Sequence, residues 1–504
     1  MTNEPSERTR AQTGVHGLDD ILHGGLIADR LYLVDGNPGA GKTTLALQFL
    51  LEGLRRGEPT MYVTLSETAD ELRDGAASHG WSLDGIRIIE LHGEEAGADA
   101  ADELTIFHPS ELELSNTTRK VLVAVERHAP KRMVFDSLSE LRLLAQSSLR
   151  YRRQILALKQ FFAGRACTTL FLDDRTADGS DLQLQSIAHG VISLEHRAPV
   201  YGRALRHLRV VKFRGSDFRT GYHHLRLLRG GLEVYPRLTA SDHGEDFDAG
   251  HLASGIDSLD NLLGGGIDTG TSTLIVGPAG SGKSTIALQY AIAATQRGDH
   301  AVVFTFDESR QSILQRLRGM GMRAQGGREE VAICQVDPAE ISPGEFSHMV
   351  RRAVEVDRAR VVVIDSLNGY VNAMVDGHYL TAQLHELLSF AGNHGVSTFV
   401  IAAQSGMLAG QMGAPGEASY LADTVIYTRF FEHAGQLRKA ISVMKKRSGP
   451  HEQTIRELQF DGKGIRLSEP LRHFRGVLTG VPVETRSAES TADDEPRATA
   501  RWTR

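Results

Sequence analysis

Gly36-Asn37-Pro38-Gly39-Ala40-Gly41-Lys42-Thr43 stands between the apolar run Leu31-Tyr32-Leu33-Val34 and the helix-forming stretch Thr44-Leu45-Ala46-Leu47-Gln48-Phe49-Leu50-Leu51. The run predicts a buried strand, the stretch after it a helix, and the eight residues between them fit GxxxxGK[ST] in the strand–loop–helix context that gives this pattern its meaning. Glycines at these places let backbone N–H groups turn inward around phosphate oxygens, and the new helix adds its positive end. Lys42 is predicted to reach the β- and γ-phosphates and the Thr43 hydroxyl to ligate Mg²⁺. A nucleoside triphosphate is the expected ligand.

The pattern occurs a second time, as Gly277-Pro278-Ala279-Gly280-Ser281-Gly282-Lys283-Ser284, after Thr273-Leu274-Ile275-Val276 and before Thr285-Ile286-Ala287-Leu288-Gln289-Tyr290. The offset that carries Lys42 onto Lys283 also carries Leu18-Asp19 onto Leu259-Asp260, Gly24-Gly25-Leu26 onto Gly265-Gly266-Ile267 and Glu67 onto Glu308. So long a period excludes a solenoid of short repeats and predicts two complete domains in tandem. The 504 residues, 41% apolar and 24% charged, suffice for two cores, since single domains rarely grow past about 250–300 residues. The expected boundaries are a disordered start at 1–10, a first domain at 11–236, a linker at 237–249, a second domain at 250–475 and a disordered polar tail at 476–504. A net charge of −7 argues against nucleic acid as the main partner. Two cysteines, Cys167 and Cys334, fall one in each half without zinc spacing, so a reducing compartment and no disulfide are expected. Without a signal-peptide pattern or an apolar run near 18 residues, the expectation is a cytoplasmic protein with no membrane partner.

Beyond each loop the same elements recur. Met61-Tyr62-Val63-Thr64-Leu65 reads as a strand delivering Ser66 and Glu67 at its carboxyl end, and Ala301-Val302-Val303-Phe304-Thr305-Phe306 delivers Asp307 and Glu308. Carboxylates at such strand ends are placed to orient or deprotonate a hydroxyl attacking the γ-phosphate. Arg132-Met133-Val134-Phe135-Asp136 and Arg360-Val361-Val362-Val363-Ile364-Asp365 read as fully buried strands ending in an acid, the pattern of a Walker B carboxylate that holds Mg²⁺. Each half is then expected to close with a basic strand, carrying Lys212 with Arg214 and Lys445 with Arg447 on one face. Such pairs are candidates to reach a neighbouring subunit's γ-phosphate. Gly93–Asp102 and Ala324–Glu330 read as surface loops, and His223-His224 show no metal spacing. Alternating strands and helices point to an α/β fold, a mainly parallel sheet with helices on both faces in each domain.

From about Thr13 to Arg475 the order of elements resembles the KaiC family of RecA-superfamily ATPases, the core ATPases of the cyanobacterial circadian clock and their bacterial and archaeal relatives. The residues that carry the resemblance are TGVHGLDDILHGGL, GNPGAGKT, SETADEL, VFDS and KFRGS in the first half, with GPAGSGKS, DES, VIDS and ISVMKKRSG in the second. It implies two tandem RecA-like domains in a homohexameric double ring with ATP at subunit interfaces, the first ring chiefly an ATPase and the second an autokinase and autophosphatase. It implies that Lys42 and Lys283 bind phosphates, Thr43, Ser284, Asp136 and Asp365 hold Mg²⁺, and Lys212, Arg214, Lys445 and Arg447 act in trans. The family's clock members carry Glu-Glu where this chain has Ser66-Glu67 and Asp307-Glu308, so the first half keeps one acid and the second both. Where they have adjacent Ser and Thr phosphoacceptors, this chain has Ser419-Tyr420, which leaves Ser419 as the candidate acceptor. Signalling or clock-type partners are implied without being identified. Two other classes fit the loops: a DNA-dependent recombinase ATPase, for which no basic appendage is present, and a scaffold that nucleotide merely stabilises.

Overall fold

The computed structural model describes residues 9–91, 109–145, 147–175, 182–198, 202–239, 247–322, 331–372, 380–404, 418–479 and 482–484. The Gly93–Asp102 and Ala324–Glu330 stretches, most of the expected disordered start and all but a few residues of the tail lie outside these. The chain divides into two compact units, one of residues up to Arg237 with 342–348, the other of Leu238–Ile341 with the residues from Met349 on.

Each unit is built on a nine-stranded sheet. In the first, the phosphate-loop strand Leu31–Gly36 lies between Thr168–Asp174 and Gly190–Arg197 and runs parallel to both; Arg132–Asp136, Thr60–Thr64 and Ile86–Glu90 extend the parallel part outward. In the second, Ser272–Gly277 lies between Ser397–Ala403 and Thr424–His433, with Ala359–Asp365, His300–Thr305 and Ala332–Gln335 beyond. The two strand orders are the same, so each unit has the tandem RecA-like plan. Strands covered by helices on both faces need apolar side chains on both, which is why Val361-Val362-Val363-Ile364 reads as an unbroken run and is buried throughout. Arg360 on that strand is exposed, so it is not buried along its whole length as expected. The phosphate-loop helices are Lys42–Arg55 and Lys283–Gln296, and the second has eleven of its fourteen residues buried.

The basic strands do not close the halves. Leu205–Phe213 is followed by His223–Leu228 and Gly231–Tyr235, and Gln436–Lys446 by Arg456–Asp461 and Gly464–Pro470, all antiparallel. A tight turn suffices to join antiparallel neighbours, and polar residues such as His223, His224 and Arg226 hide the alternation from a hydrophobicity reading. These hairpins bear on the site, because Leu227 and Leu232 pack beside Gly41, and the Phe460 ring beside Gly282.

Arg132 is 1% exposed at the start of its strand. It pairs with Glu58, donates to the carbonyls of Gln12 at 2.6 Å and Phe49 at 2.9 Å, and lies 4.8 Å from the centre of the Phe49 ring. Removing one partner of such a network leaves the others desolvated. Arg132→Ala is expected to destabilise the first unit by about 3 kcal/mol, read as a lower urea midpoint for its transition; a shift under about 1 kcal/mol would contradict the packing described.

Candidate functional site

The two phosphate loops are built alike. Gly41 and Gly282 cap the helices with φ of 106° and 101°, values that suit only glycine, and a Cβ at 282 would lie 2.2 Å from the Phe460 ring. Neither cap offers a side-chain acceptor to the first-turn N–H groups. Each helix therefore presents open donors and its positive end at the carboxyl edge of the sheet, which fits a phosphate chain.

Lys42 Nζ donates to the carbonyls of Gly36 at 2.9 Å and Asn37 at 3.1 Å and pairs with Asp174 at 2.7 Å. Lys283 Nζ donates to the Pro278 carbonyl at 2.8 Å and is 7% exposed. Burial pulls its pKa down, against the nearby charge of Asp365. The lysines thus rest differently: one is neutralised by a carboxylate on the neighbouring strand, where the second unit has Ala403 in the same register.

The fully buried Tyr62 donates its hydroxyl hydrogen to the Asp136 carboxylate at 2.5 Å, with Thr43 close to the same hydroxyl. In the second unit the Ser284 side chain lies near Asp365. Burial raises the pKa of both acids; Tyr62 and Lys42 oppose this at Asp136, Ser284 and Arg316 at Asp365. A hydroxyl and a buried, undercompensated carboxylate form a hard-oxygen donor set that fits Mg²⁺.

Glu67 and Glu308 occupy matching turns, closed by Thr64 and Thr305. Each threonine hydroxyl accepts from the glutamate's N–H and donates to its carbonyl. Burial pushes the Glu67 pKa up, and the charges of Asp136 and Glu71 push the same way. No cation pairs with Glu67 among the described residues, whereas Arg316 lies 2.8 Å from Glu308. Asp307 accepts a hydrogen bond from Ser366 at 2.7 Å.

The basic pairs lie at the other end of the sheet. Arg214 and Arg447 follow strand residues that pair at the amino end of the phosphate-loop strands, through His189 to Leu31 and through Asp423 to Ser272. Five residues of strand, roughly 16 Å, separate that level from Gly36 or Gly277. Lys212 donates to the carbonyls of Gln185 at 2.5 Å and Ala188 at 2.7 Å, and Arg214 to Ser186 at 3.1 Å. Lys445 donates to those of Ser419 at 3.3 Å and Ala422 at 2.7 Å, and Arg447 to Tyr420 at 2.5 Å. The same cradle therefore holds two different short segments. Ser419 is exposed on the second of them, and the neighbouring Tyr420 is 53% exposed.

His223 and His224 are buried in the first unit, their pKa values pushed down by burial to about 4 and about 3. His223 accepts from the Arg237 N–H at 2.9 Å and bonds the Arg219 carbonyl at 3.1 Å, a structural role. Sequence reasoning missed Tyr62, Asp174, Ser366 and Arg316. Comparing the halves position by position exposes Tyr62 against Val303 and Arg316 against Gly75; Asp174 against Ala403 emerges only from strand register.

The family model described as ATPase: KaiC matches residues 11–239 and again 252–472. The circadian clock protein KaiC3 of Synechocystis sp. is 24% identical, the match covering 95% of this chain and 96% of the relative. The circadian clock oscillator proteins KaiC of Acaryochloris marina and Synechococcus elongatus are each 24% identical, covering 94% of this chain and 92% of the relative.

Phosphate must displace Asp174 if Lys42 is to bind it. In a Lys283→Ala background that leaves the first loop to be read, Asp174→Asn is expected to tighten fluorescent ATP binding several-fold. Unchanged or weaker binding would mean that the ion pair does not compete with the ligand.

Proposed function

The chain belongs to the KaiC family of ATPases, and from that premise we propose that it is an ATP-dependent ring, a homohexamer, with ATP hydrolysis in the first domain and serine autokinase activity in the second. The domains run over 11–236 and 250–475, joined by a linker at 237–249. Both halves bind ATP·Mg²⁺: Lys42 and Lys283 hold the β/γ-phosphates, and Thr43 with Asp136 and Ser284 with Asp365 hold the metal. When bound, Mg²⁺ offsets charge on the transferring phosphoryl group. Glu67, with its raised pKa, orients and deprotonates water; Glu308, aided by Asp307, takes the proton of the acceptor hydroxyl.

The observation that carries this reading is the position of the basic pairs. Arg214 and Arg447 lie far from their own phosphate loops, as expected of groups that complete a neighbour's site. Lys445 and Arg447 also hold the backbone of Ser419 and Tyr420, which ties the acceptor to the residues that would meet the neighbour's nucleotide. A phosphate on Ser419 brings about −1.5 to −2 charges beside these two cations and draws them off the carbonyls they now bond, so phosphorylation and the subunit interface are coupled. Tyr420 is a poor acceptor, because its phenol extends several ångströms farther than a threonine hydroxyl and overshoots an in-line geometry. Such a coupled cycle suits signalling or clock-like regulation in the cytoplasm through protein partners; among the described residues no helix is long and apolar enough to cross a membrane.

Incubation with γ-labelled ATP, followed by phosphosite mapping, tests the reading. Expected are free phosphate and label on Ser419, the label lost in Ser419→Ala and in Lys283→Ala. Label undiminished in Ser419→Ala, or found chiefly on Tyr420, would refute the acceptor. Free phosphate without label would leave an ATPase alone, and neither product would leave a nucleotide-stabilised scaffold.

A further inference from the structure

Arg316 sits in the helix Arg310–Gly319, which starts just after the strand-end acids Asp307 and Glu308 and is capped by Ser309. Its Nη1 donates to Glu308 Oε1 at 3.1 Å and lies 2.8 Å from Oε2. The other side of the guanidinium is different. Nε and Nη2 are both buried and have no hydrogen-bond acceptor among the described residues.

Those two nitrogens form one edge of the planar group, with parallel N–H bonds spaced to meet two oxygens of a single carboxylate or phosphate. Leaving both desolvated and empty is costly for a group that stays charged, so the arrangement implies an anion. The surroundings say which. Arg316 is close enough to Asp365 to stabilise its charge, and Asp365 in turn interacts with Ser284 and Lys283. The empty edge therefore belongs to the same group of side chains as the second phosphate loop. Among the described residues of the first unit nothing comparable stands: Gly75 occupies the matching place with open space beside it, and no cation pairs with Glu67.

We propose that Arg316 is a phosphate-binding residue of the second site acting within its own chain: its free Nε–Nη2 edge takes two oxygens of the terminal phosphate of a nucleoside triphosphate, while Nη1 keeps Glu308. This rests on the reading that the second loop binds ATP. A diphosphate lacks the group that the edge would hold, so the residue makes the second site select tri- over diphosphate. It also sets the two sites apart, since Glu308 works next to a fixed cation and Glu67 does not.

The test uses the full chain in a Lys42→Ala background, titrated with fluorescent ATP and fluorescent ADP. Arg316→Ala is expected to weaken ATP at least tenfold and ADP less than threefold, and Arg316→Lys to recover part of the loss through its single charge. Equal loss for both nucleotides would assign Arg316 to holding the fold. No loss for ATP, or tighter ATP, would assign it to restraining Glu308 alone; either result overturns the proposal. A Lys42→Ala parent that binds neither nucleotide would instead bring down the ATP reading of the second loop, and this inference with it.

Discussion

Charge gathered at the carboxyl ends of the parallel strands is the constraint on which the rest depends. Each phosphate-loop helix begins at a glycine that caps none of its N–H groups, and a lysine follows at once. Around this positive end the sheet delivers acids: Asp136, Asp174 and Glu67 in the first unit, Asp365, Asp307 and Glu308 in the second. Parallel strands bring residues far apart in sequence to one edge, so such a cluster is a direct product of the topology. Protein groups alone balance it incompletely. Burial holds Asp136, Asp365 and Glu67 above their ordinary pKa, and Lys42 turns to Asp174 or to carbonyls of its own loop. A phosphate chain and a divalent cation fit the two halves of this arrangement.

Duplication has preserved the frame and allowed the contents to diverge. The first unit bonds Tyr62 to Asp136 and sets Asp174 against Lys42; the second has Val303 at the place of Tyr62 and sets Arg316 against Glu308. Asp35 and Asp173 extend the first unit's polar region into its core, with Asp173 paired to Arg142 at 2.7 Å, where the matching registers of the second unit hold Val276 and Ala402. The two sites are thus chemically distinct.

Much of this was legible in the sequence because it is local. A phosphate loop is eight consecutive residues, and an apolar strand ending in Asp136 or Asp365 announces itself by composition. Other features depend on pairing across the fold. The ion pair of Lys42 with Asp174 arises because Gly36 and Asp174 are neighbours on adjacent strands, and Arg316 meets Glu308 because two helical turns bring it back over the strand end. The hairpins after the basic strands were missed for another reason: polar residues such as the buried His223 and His224 mask the alternation, and their value lies in packing Leu232 and Phe460 under the loop glycines.

The most direct test of the account is whether one subunit's basic pair completes another's site. A subunit carrying Arg214→Ala and Arg447→Ala is mixed with one carrying Glu67→Gln and Glu308→Gln, and mixed rings are verified by differently tagged subunits. Each parent alone is expected to be inactive and the mixture to recover part of the ATP hydrolysis, because some interfaces then combine intact acids with an intact neighbouring pair. A mixture as inactive as its parents, with mixed rings present, would confine each active site to a single chain and contradict the account.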